Sequence, residues 1–519
     1  LPCKTGEREC CGIVPAACFL RILGTYVMEK YRAFILKSAF KRSIISWQPR
    51  VMQFWESVFG ATMRRKKRFF VMTTTRMIMV GFLAAILLGT FFLSLPVATK
   101  SRTVTPLIDA FFTATTSICV TGLSTVVMAE QWSLFGQVVI LFLIQFGGLG
   151  IVTFTTTILL VLGKRISLKE RLLLQDAYNL DTLRGLVRIT IRIIKGTLLV
   201  EGIGALFCCI RFVPQYGFWQ GIWYAAFHSV SSFCNAGIDL FGSDSLISYR
   251  GDILVNLVTM ALIILGGIGF PVWWEFLENV KEMRRKKRRN ELVRFRPNLH
   301  FRIAVSMTAF LILSGALLTF LLEYNNPQTL KPLPFGEKLL ASLFQSVTLR
   351  TAGFQTIPQQ CFREGTSMIY LMIMFIGGSP SGTAGGIKTV TMVLVVATVI
   401  STVAGRSGTQ VMRRKIAAKD VRKAFAVFGV GFGIMFVLVV ALMVVEQADF
   451  LDSLYEMVSA TATVGLSRNF TGSLSATGKV LVIVGMYLGR IGPITMALAL
   501  NARHENARTA YPEGRVLVG

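Results

Sequence analysis

The chain is 519 residues long, 53% hydrophobic and only 16% charged, with a formal net charge of +28. A soluble protein of this size needs more charge to cover its core, so the composition indicates an integral membrane protein. The 55 Lys and Arg residues do not build the single basic face of a nucleic-acid binder. They lie in blocks between apolar runs, "RRKKR" at 64–68 and "KEMRRKKRRN" at 281–290 among them, which is the positive-inside pattern.

In chain order, residues 1–62 are poorly patterned. They hold four of the nine cysteines (Cys3, Cys10, Cys11, Cys18), without the Cys/His spacing of a zinc site or a disulfide framework. This stretch reads as partly upstream translation, with Met63 as the natural start. Runs of about twenty apolar residues, enough to cross roughly 30 Å of hydrocarbon, fall at 74–96, 134–162, 190–213, 252–277, 303–323, 366–403, 424–446 and 477–500. Eight spans are predicted.

Between the two members of each pair lies a shorter, semi-polar segment with a glycine: "TTSICVTGLS", "VSSFCNAGID", "SVTLRTAGFQ" and "SATATVGLSR". The glycines, Gly122, Gly237, Gly353 and Gly465, are 115, 116 and 112 residues apart. Near-equal intervals predict a fourfold repeat of span, short helix, glycine turn and span. Asp109, the stretch 219–224, Glu337 and Asp452 stand near the starts of the short segments, and an acid suits a helix N-terminus. A second mark follows each glycine by 24 to 29 residues: "GGLG", "GGIG", "GGSPSGTAGG" and "GRIG". Four such breaks in register predict bends in the second spans near mid-membrane. Most Lys and Arg residues fall in or beside the segments that join one repeat to the next, or at the chain ends. Both termini are therefore predicted cytoplasmic, and the glycine segments enter from the outer face.

Non-helical backbone at membrane depth survives only where it is buried in protein or lines a watery path. Four copies around an axis would surround such a path with carbonyl oxygens, which can replace the hydration shell of a cation. Glycine supplies the backbone angles that turn carbonyls inward, and the short helices would aim their negative C-terminal ends at the ion. The predicted fold class is an all-α integral membrane protein with four tandem span–pore helix–span repeats, hence eight transmembrane helices and four re-entrant pore loops around one central pore. The predicted boundaries are a cytoplasmic N-terminal extension at 1–69, repeats at 70–165, 166–285, 286–405 and 406–503, and a cytoplasmic tail at 504–519.

"VTGLS", "FHSVSSFCNAGI", "FQSVTLRTAGFQTIP" and "ATVGLS", with "GGSPSGTAGGIKT", resemble the Trk/Ktr/HKT superfamily of potassium transporters, most closely the membrane subunit of bacterial Ktr-type systems. The resemblance covers about residues 70–503. It implies a potassium filter at Val120, Thr121, Gly122 and Leu123; Asn235, Ala236, Gly237 and Ile238; Thr351, Ala352, Gly353 and Phe354; and Thr463, Val464, Gly465 and Leu466. Glycine in every repeat goes with potassium, and serine in the first repeat with sodium in some plant relatives. Cys119 and Cys234 are read as wall packing and Arg350 as a buttress.

The third break interrupts 366–403 with five glycines and a proline, which no helix runs through. From the residues alone it is either a kink between packed helices or a loop of its own. The resemblance implies an intramembrane gating loop beneath the filter, carrying Gly377, Gly378, Ser379, Gly382, Gly385, Gly386 and Lys388. Arg490 stands where Gly148, Gly267 and Gly378 stand in the other breaks. A charge at this depth usually faces a polar interior; Arg490 either lines the pore and holds the gate, or pairs with a carboxylate such as Glu446 or Glu201. The resemblance further implies potassium as the transported ion with sodium as activator or co-ion, no other cofactor, a homodimer, and a cytosolic ring of nucleotide-binding regulatory subunits. Membrane lipid is an expected contact of the basic blocks and nucleic acid is not. The expected location is the plasma membrane of a bacterium. Two rivals stand beside this reading. One is a sodium-preferring relative of the same fold. The other is a polytopic membrane enzyme, for which His228, His300 and His504 sit singly, without a catalytic motif.

Overall fold

The computed structural model describes residues 74–150, 153, 186–290 and 295–492. All of these belong to the unit Met72–Gly519. The N-terminal extension with its cysteines and Met63, much of the first inter-repeat segment and the C-terminal tail lie outside the described residues.

The described chain is mostly helical, and its only strands form a short antiparallel hairpin, Gln410–Val411 with Arg414–Lys415. In order the helices are α1 (Thr74–Ser94), α2 (Leu107–Cys119), α3 (Leu134–Leu149), α4 (Leu186–Tyr216), α5 (Phe218–Cys234), α6 (Ile253–Gly267), α7 (Phe270–Arg288), α8 (Leu299–Glu323), α9 (Phe335–Thr348), α10 (Glu364–Phe375), α11 (Thr389–Val403), α12 (Ala418–Glu446), α13 (Phe450–Ala462) and α14 (Ala476–Ile491). α1, α4, α8 and α12 are each long and apolar enough to cross a membrane. α6 and α7 pass the same test only as a pair bent by 96°. At 1.5 Å per residue, the 21 residues of α1 reach about 31 Å.

The long helices expose their apolar side chains. Leu313, Leu317 and Leu321 form one stripe of α8, and Phe436, Val437, Val440 and Val444 crowd one side of α12. Such surfaces are stable only against lipid. The short helices are the reverse. α2 buries Thr113, Thr115, Thr116 and Ser117 with Phe112 and Ile118, and α13 buries Ser453 and Ser459. The short helices thus bury polar groups beside apolar ones, while the long helices turn apolar side chains outward. Packing order closes a circle. α2 lies on α1, α5 on α4, α9 on α8 and α13 on α12; α3 then packs on α5, α6 on α9, α10 on α13, and α14 back on α2.

Local chemistry explains several starts. Ser133, Asp252, Asn298 and Ser475 cap α3, α6, α8 and α14 by accepting from the backbone N–H three residues on, at 2.9–3.3 Å. The helices that follow the glycine segments stop at the break motifs. α3 ends at Gly150 (φ 82°, ψ 141°), α6 gives way to α7 at Gly269 (φ 94°, ψ 137°), and α14 ends at Gly492 (φ 89°, ψ 141°). One backbone conformation therefore stands at three of the four breaks, and between α6 and α7 it accompanies the 96° bend. The other separates α10 from α11 by a loop, 376–388. α7 carries the basic block from residue 281 as helix as far as Arg288.

Candidate functional site

Three of the four short helices end alike. Val120, Asn235 and Thr463 cap α2, α5 and α13 in the left-handed conformation, at φ 54°, 59° and 53°. α9 instead continues right-handed through Leu349 and turns at Thr351, φ 63°. The glycine two residues further is left-handed in every case: Gly122, Gly237, Gly353 and Gly465 at φ 101°, 65°, 82° and 91°.

These glycines meet one another. A Cβ placed on Gly122 would lie 2.7 Å from the Ala236 carbonyl oxygen. One on Gly237 would lie 2.6 Å from that of Ala352, and one on Gly353 2.9 Å from that of Val464. On Gly465 it would strike the carbonyl oxygen of Thr121. Each glycine therefore faces the carbonyl of the residue before the next glycine, and the fourth returns to the first. Any side chain would enter this ring, and its φ would also be strained. The flanking side chains turn away: Thr121, Ala236, Ala352 and Val464 are fully buried, and Leu123, Ile238, Phe354 and Leu466 anchor in the apolar core. All sixteen sequence-predicted filter residues lie in these four adjoining segments. Above them a cavity of about 480 Å³ is lined by all four glycines.

Hydroxyl groups hold the segments in shape. Thr116 Oγ1 accepts from Gly122 N–H at 3.0 Å, and Ser459 Oγ accepts from Gly465 N–H at 3.0 Å. Ser231 Oγ accepts from Ile238 N–H at 3.1 Å and donates to the Ile238 carbonyl at 2.5 Å. In the third segment Thr348 donates to the Phe354 carbonyl at 2.6 Å. Sequence reasoning passed over these residues. Their signal was a Ser or Thr six residues before the glycine in three segments and five before it in the third. The Thr121, Thr351 and Thr463 hydroxyls are enclosed and have no protein partner among the described residues. Two of the guanidinium nitrogens of Arg350 are likewise unpartnered, and its backbone carbonyl accepts from Asn235 Nδ2 at 3.4 Å.

The 376–388 loop packs against these segments. Gly377 N–H donates to the Ile387 carbonyl at 2.9 Å, closing its neck. Ser379 and Thr383 N–H donate to the Gly267 and Gly266 carbonyls at 2.9 and 3.1 Å. These are carbonyls that an unbroken α6 would have satisfied itself. Thr383 Oγ1 reaches the Phe233 carbonyl at 3.1 Å and Asn235 Oδ1 at 3.2 Å, and a Cβ on Gly385 would strike Thr463 Oγ1. Lys388 Nζ donates to the Ala384 carbonyl at 2.6 Å, so its charge folds back on the loop.

Arg490 donates through Nη1 to the Thr383 carbonyl at 2.6 Å and through Nη2 to the Gly147 carbonyl. It thus ties the loop to the end of α3. Among the described residues it has no carboxylate partner. Glu446 instead accepts from Ser475 Oγ at 2.6 Å, and Glu201 from Gln145 Nε2 at 2.9 Å. The paired-arginine alternative is therefore replaced by a hold on backbone carbonyls. Asp109, at the start of α2, pairs with Lys479 of α14 at 2.7 Å, joining the first and last segments. Cys119 and Cys234 are buried in the wall, and His228 packs on Phe354 with ring centroids 5.0 Å apart.

Residues 51–510 match the TrkH family, described as cation transport protein. The chain is 41% identical over 450 residues to the Ktr system potassium uptake protein B of Bacillus subtilis, covering 86% of this chain and 97% of that one. It is 35% identical over 456 residues to the potassium/sodium uptake protein NtpJ of Enterococcus hirae, covering 86% and 98%. The crystal structure of the potassium transporter TrkH from Vibrio parahaemolyticus superposes with a TM-score of 0.61 at 19% identity, covering 93% of this chain and 97% of that one, a likeness of fold.

Proposed function

Because the chain belongs to the TrkH family of cation transport proteins, we propose that it carries potassium into the cell through a filter walled by its four glycine segments. It is a transporter and not an enzyme. The observation that carries this reading is the closed ring in which Gly122, Gly237, Gly353 and Gly465 each face the carbonyl preceding the next glycine. Backbone oxygens turned to one axis can replace a hydration shell, and no titratable group is needed for selection.

The finer architecture belongs to the same proposal. Repeats at 70–165, 166–285, 286–405 and 406–503 each supply two spans and a pore helix, making eight spans around one pore in a bacterial plasma membrane, with both termini cytoplasmic. The loop with Gly377, Gly378, Ser379, Gly382, Gly385, Gly386 and Lys388 closes the path beneath the filter, and Arg490 holds it shut. The relatives named for a Ktr system support membership of a multi-subunit system. In our reading it is a homodimer on a cytosolic nucleotide-binding ring, with sodium as activator or co-ion and the basic blocks against lipid headgroups. A sodium-accepting variant of the function is favoured by one observation, the potassium/sodium relative at 35% identity. Glycine at position 122 favours potassium. Rubidium uptake into proteoliposomes, with and without sodium and with competing potassium, tests the reading. No uptake above protein-free vesicles, or sodium competing as well as potassium, refutes it.

A further inference from the structure

The cavity above the glycine ring is unusual for a chain of net charge +28. Its described lining residues include no lysine or arginine, and its only ionisable ones are Asp239 and Asp244. The register sharpens this. Two residues past each glycine stand Ser124, Asp239, Gln355 and Ser467, and all four line the cavity. They form a second tier outside the glycines, with three neutral polar members and one acid.

Asp239 is held in place. Its Oδ1 accepts from Phe241 N–H at 3.2 Å and its Oδ2 from the Ser245 hydroxyl at 2.6 Å. The side chain is only 9% exposed, and no cation forms an ion pair with it among the described residues. Asp244, by contrast, is exposed. A fixed carboxylate without an ion-pair partner at the wall of a cavity directs its field into it and raises the local cation concentration there.

We propose that Asp239 is a residue that sets cation affinity: its carboxylate, one tier outside the glycine ring, draws monovalent cations to the filter entrance. This rests on the glycine ring being the ion path. The effect is electrostatic and not a matter of shape, so it belongs to the charge and is screened by salt.

The test is initial-rate rubidium uptake into proteoliposomes at low ionic strength. Asp239→Asn is expected to raise KM about three- to tenfold while changing the saturating rate by less than about twofold. The rise should shrink when N-methylglucamine chloride is added. Asp239→Glu should restore a low KM. Ser245→Ala removes a hydrogen bond that favours the ionised carboxylate, so the comparison is made at about pH 8, where Asp239 stays charged; there it should leave KM in place, and the exposed Asp244 should give a smaller effect on conversion to Asn. An unchanged KM in Asp239→Asn overturns the proposal. So does a KM rise that Ser245→Ala reproduces, or one that salt does not reduce, since either assigns the effect to geometry. Gly122→Ser, read as potassium-over-sodium preference, reports separately on the underlying path. A lost preference with an unmoved Asp239→Asn KM refutes this proposal alone, and an intact preference refutes the filter.

Discussion

Replacing Arg490 with alanine tests the hold on the intramembrane loop most directly. The guanidinium donates to two backbone carbonyls, Thr383 on the loop and Gly147 at the end of α3. Hydrogen bonds from a charged donor contribute about 1.5–3 kcal/mol each, so the two together amount to about 3–6 kcal/mol before water replaces them. Both carbonyls can rebond to water once the side chain is gone, which leaves a net loss of about 1–2 kcal/mol. Since 1.4 kcal/mol is tenfold, the ratio of loop-open to loop-closed protein should rise about five- to thirtyfold. Rubidium uptake in proteoliposomes at matched protein content should rise accordingly, with the preference over sodium retained, because the glycine ring is untouched. Arg490→Lys should fall between, as a compact ammonium cannot serve two separated carbonyls as a planar fork does. Unchanged or reduced flux from folded Arg490→Ala protein would refute the reasoning.

Gly122→Ser places a Cβ 2.7 Å from the Ala236 carbonyl oxygen at φ 101°; potassium-over-sodium preference in competition assays should fall about tenfold, the equivalent of strain near 1–3 kcal/mol spread over the ring. Ser459→Ala removes the acceptor of Gly465 N–H and leaves a buried donor unpaired at a cost of about 1–3 kcal/mol. Thermal unfolding in detergent should show it, and Thr116→Val should match it in the first segment. Lys479→Met strands Asp109, which keeps only its Thr125 hydrogen bond at 2.9 Å. The loss should be about 1–3 kcal/mol, less than for a fully buried pair, and a second change, Asp109→Asn, should recover part of it in the same melt.

What could be read from the sequence depended on repetition. One "VTG" carries no information, but Gly122, Gly237, Gly353 and Gly465 at near-equal spacing exposed the ring, because left-handed backbone selects glycine wherever the turn recurs. The bend between α6 and α7 and the ends of α3 and α14 were legible for the same reason. The partners of Arg490 were not. A backbone carbonyl is offered by every residue, so no letter in the sequence marks Thr383 or Gly147 as an acceptor, and the sequence left open whether Arg490 holds the loop or pairs with Glu446 or Glu201. The first glycine of each break also has a purpose that spacing hides. A Cβ on Gly147, Gly266 or Gly489 would strike the carbonyl oxygen of Ile118, Phe233 or Thr461, in each case the residue four before the next-door ring glycine. These glycines let each helix lie against the end of the short helix that precedes it.

The third break departs from that rule, and the departure accounts for the loop. Gly377 abuts the carbonyl of Gly385 in its own loop, so α9 lacks the close helix contact that α2, α5 and α13 have. Its end is correspondingly different: Leu349 stays right-handed and the hydroxyl latch moves to Thr348. What holds the inserted loop comes from other segments, and Thr383 is where those holds meet. Its N–H goes to Gly266, its hydroxyl to Phe233 and Asn235, and its carbonyl receives Arg490. Thr383→Val keeps the shape and both backbone bonds but removes the hydroxyl link to Asn235, the cap of the second ring segment. The expected result is therefore the converse of Arg490→Ala: preference for potassium over sodium weakens several-fold while flux at saturating rubidium stays near its starting value. If Thr383→Val instead raises flux with preference intact, the hydroxyl serves the loop's closure and not the ring, and the coupling inferred between loop and ring is wrong.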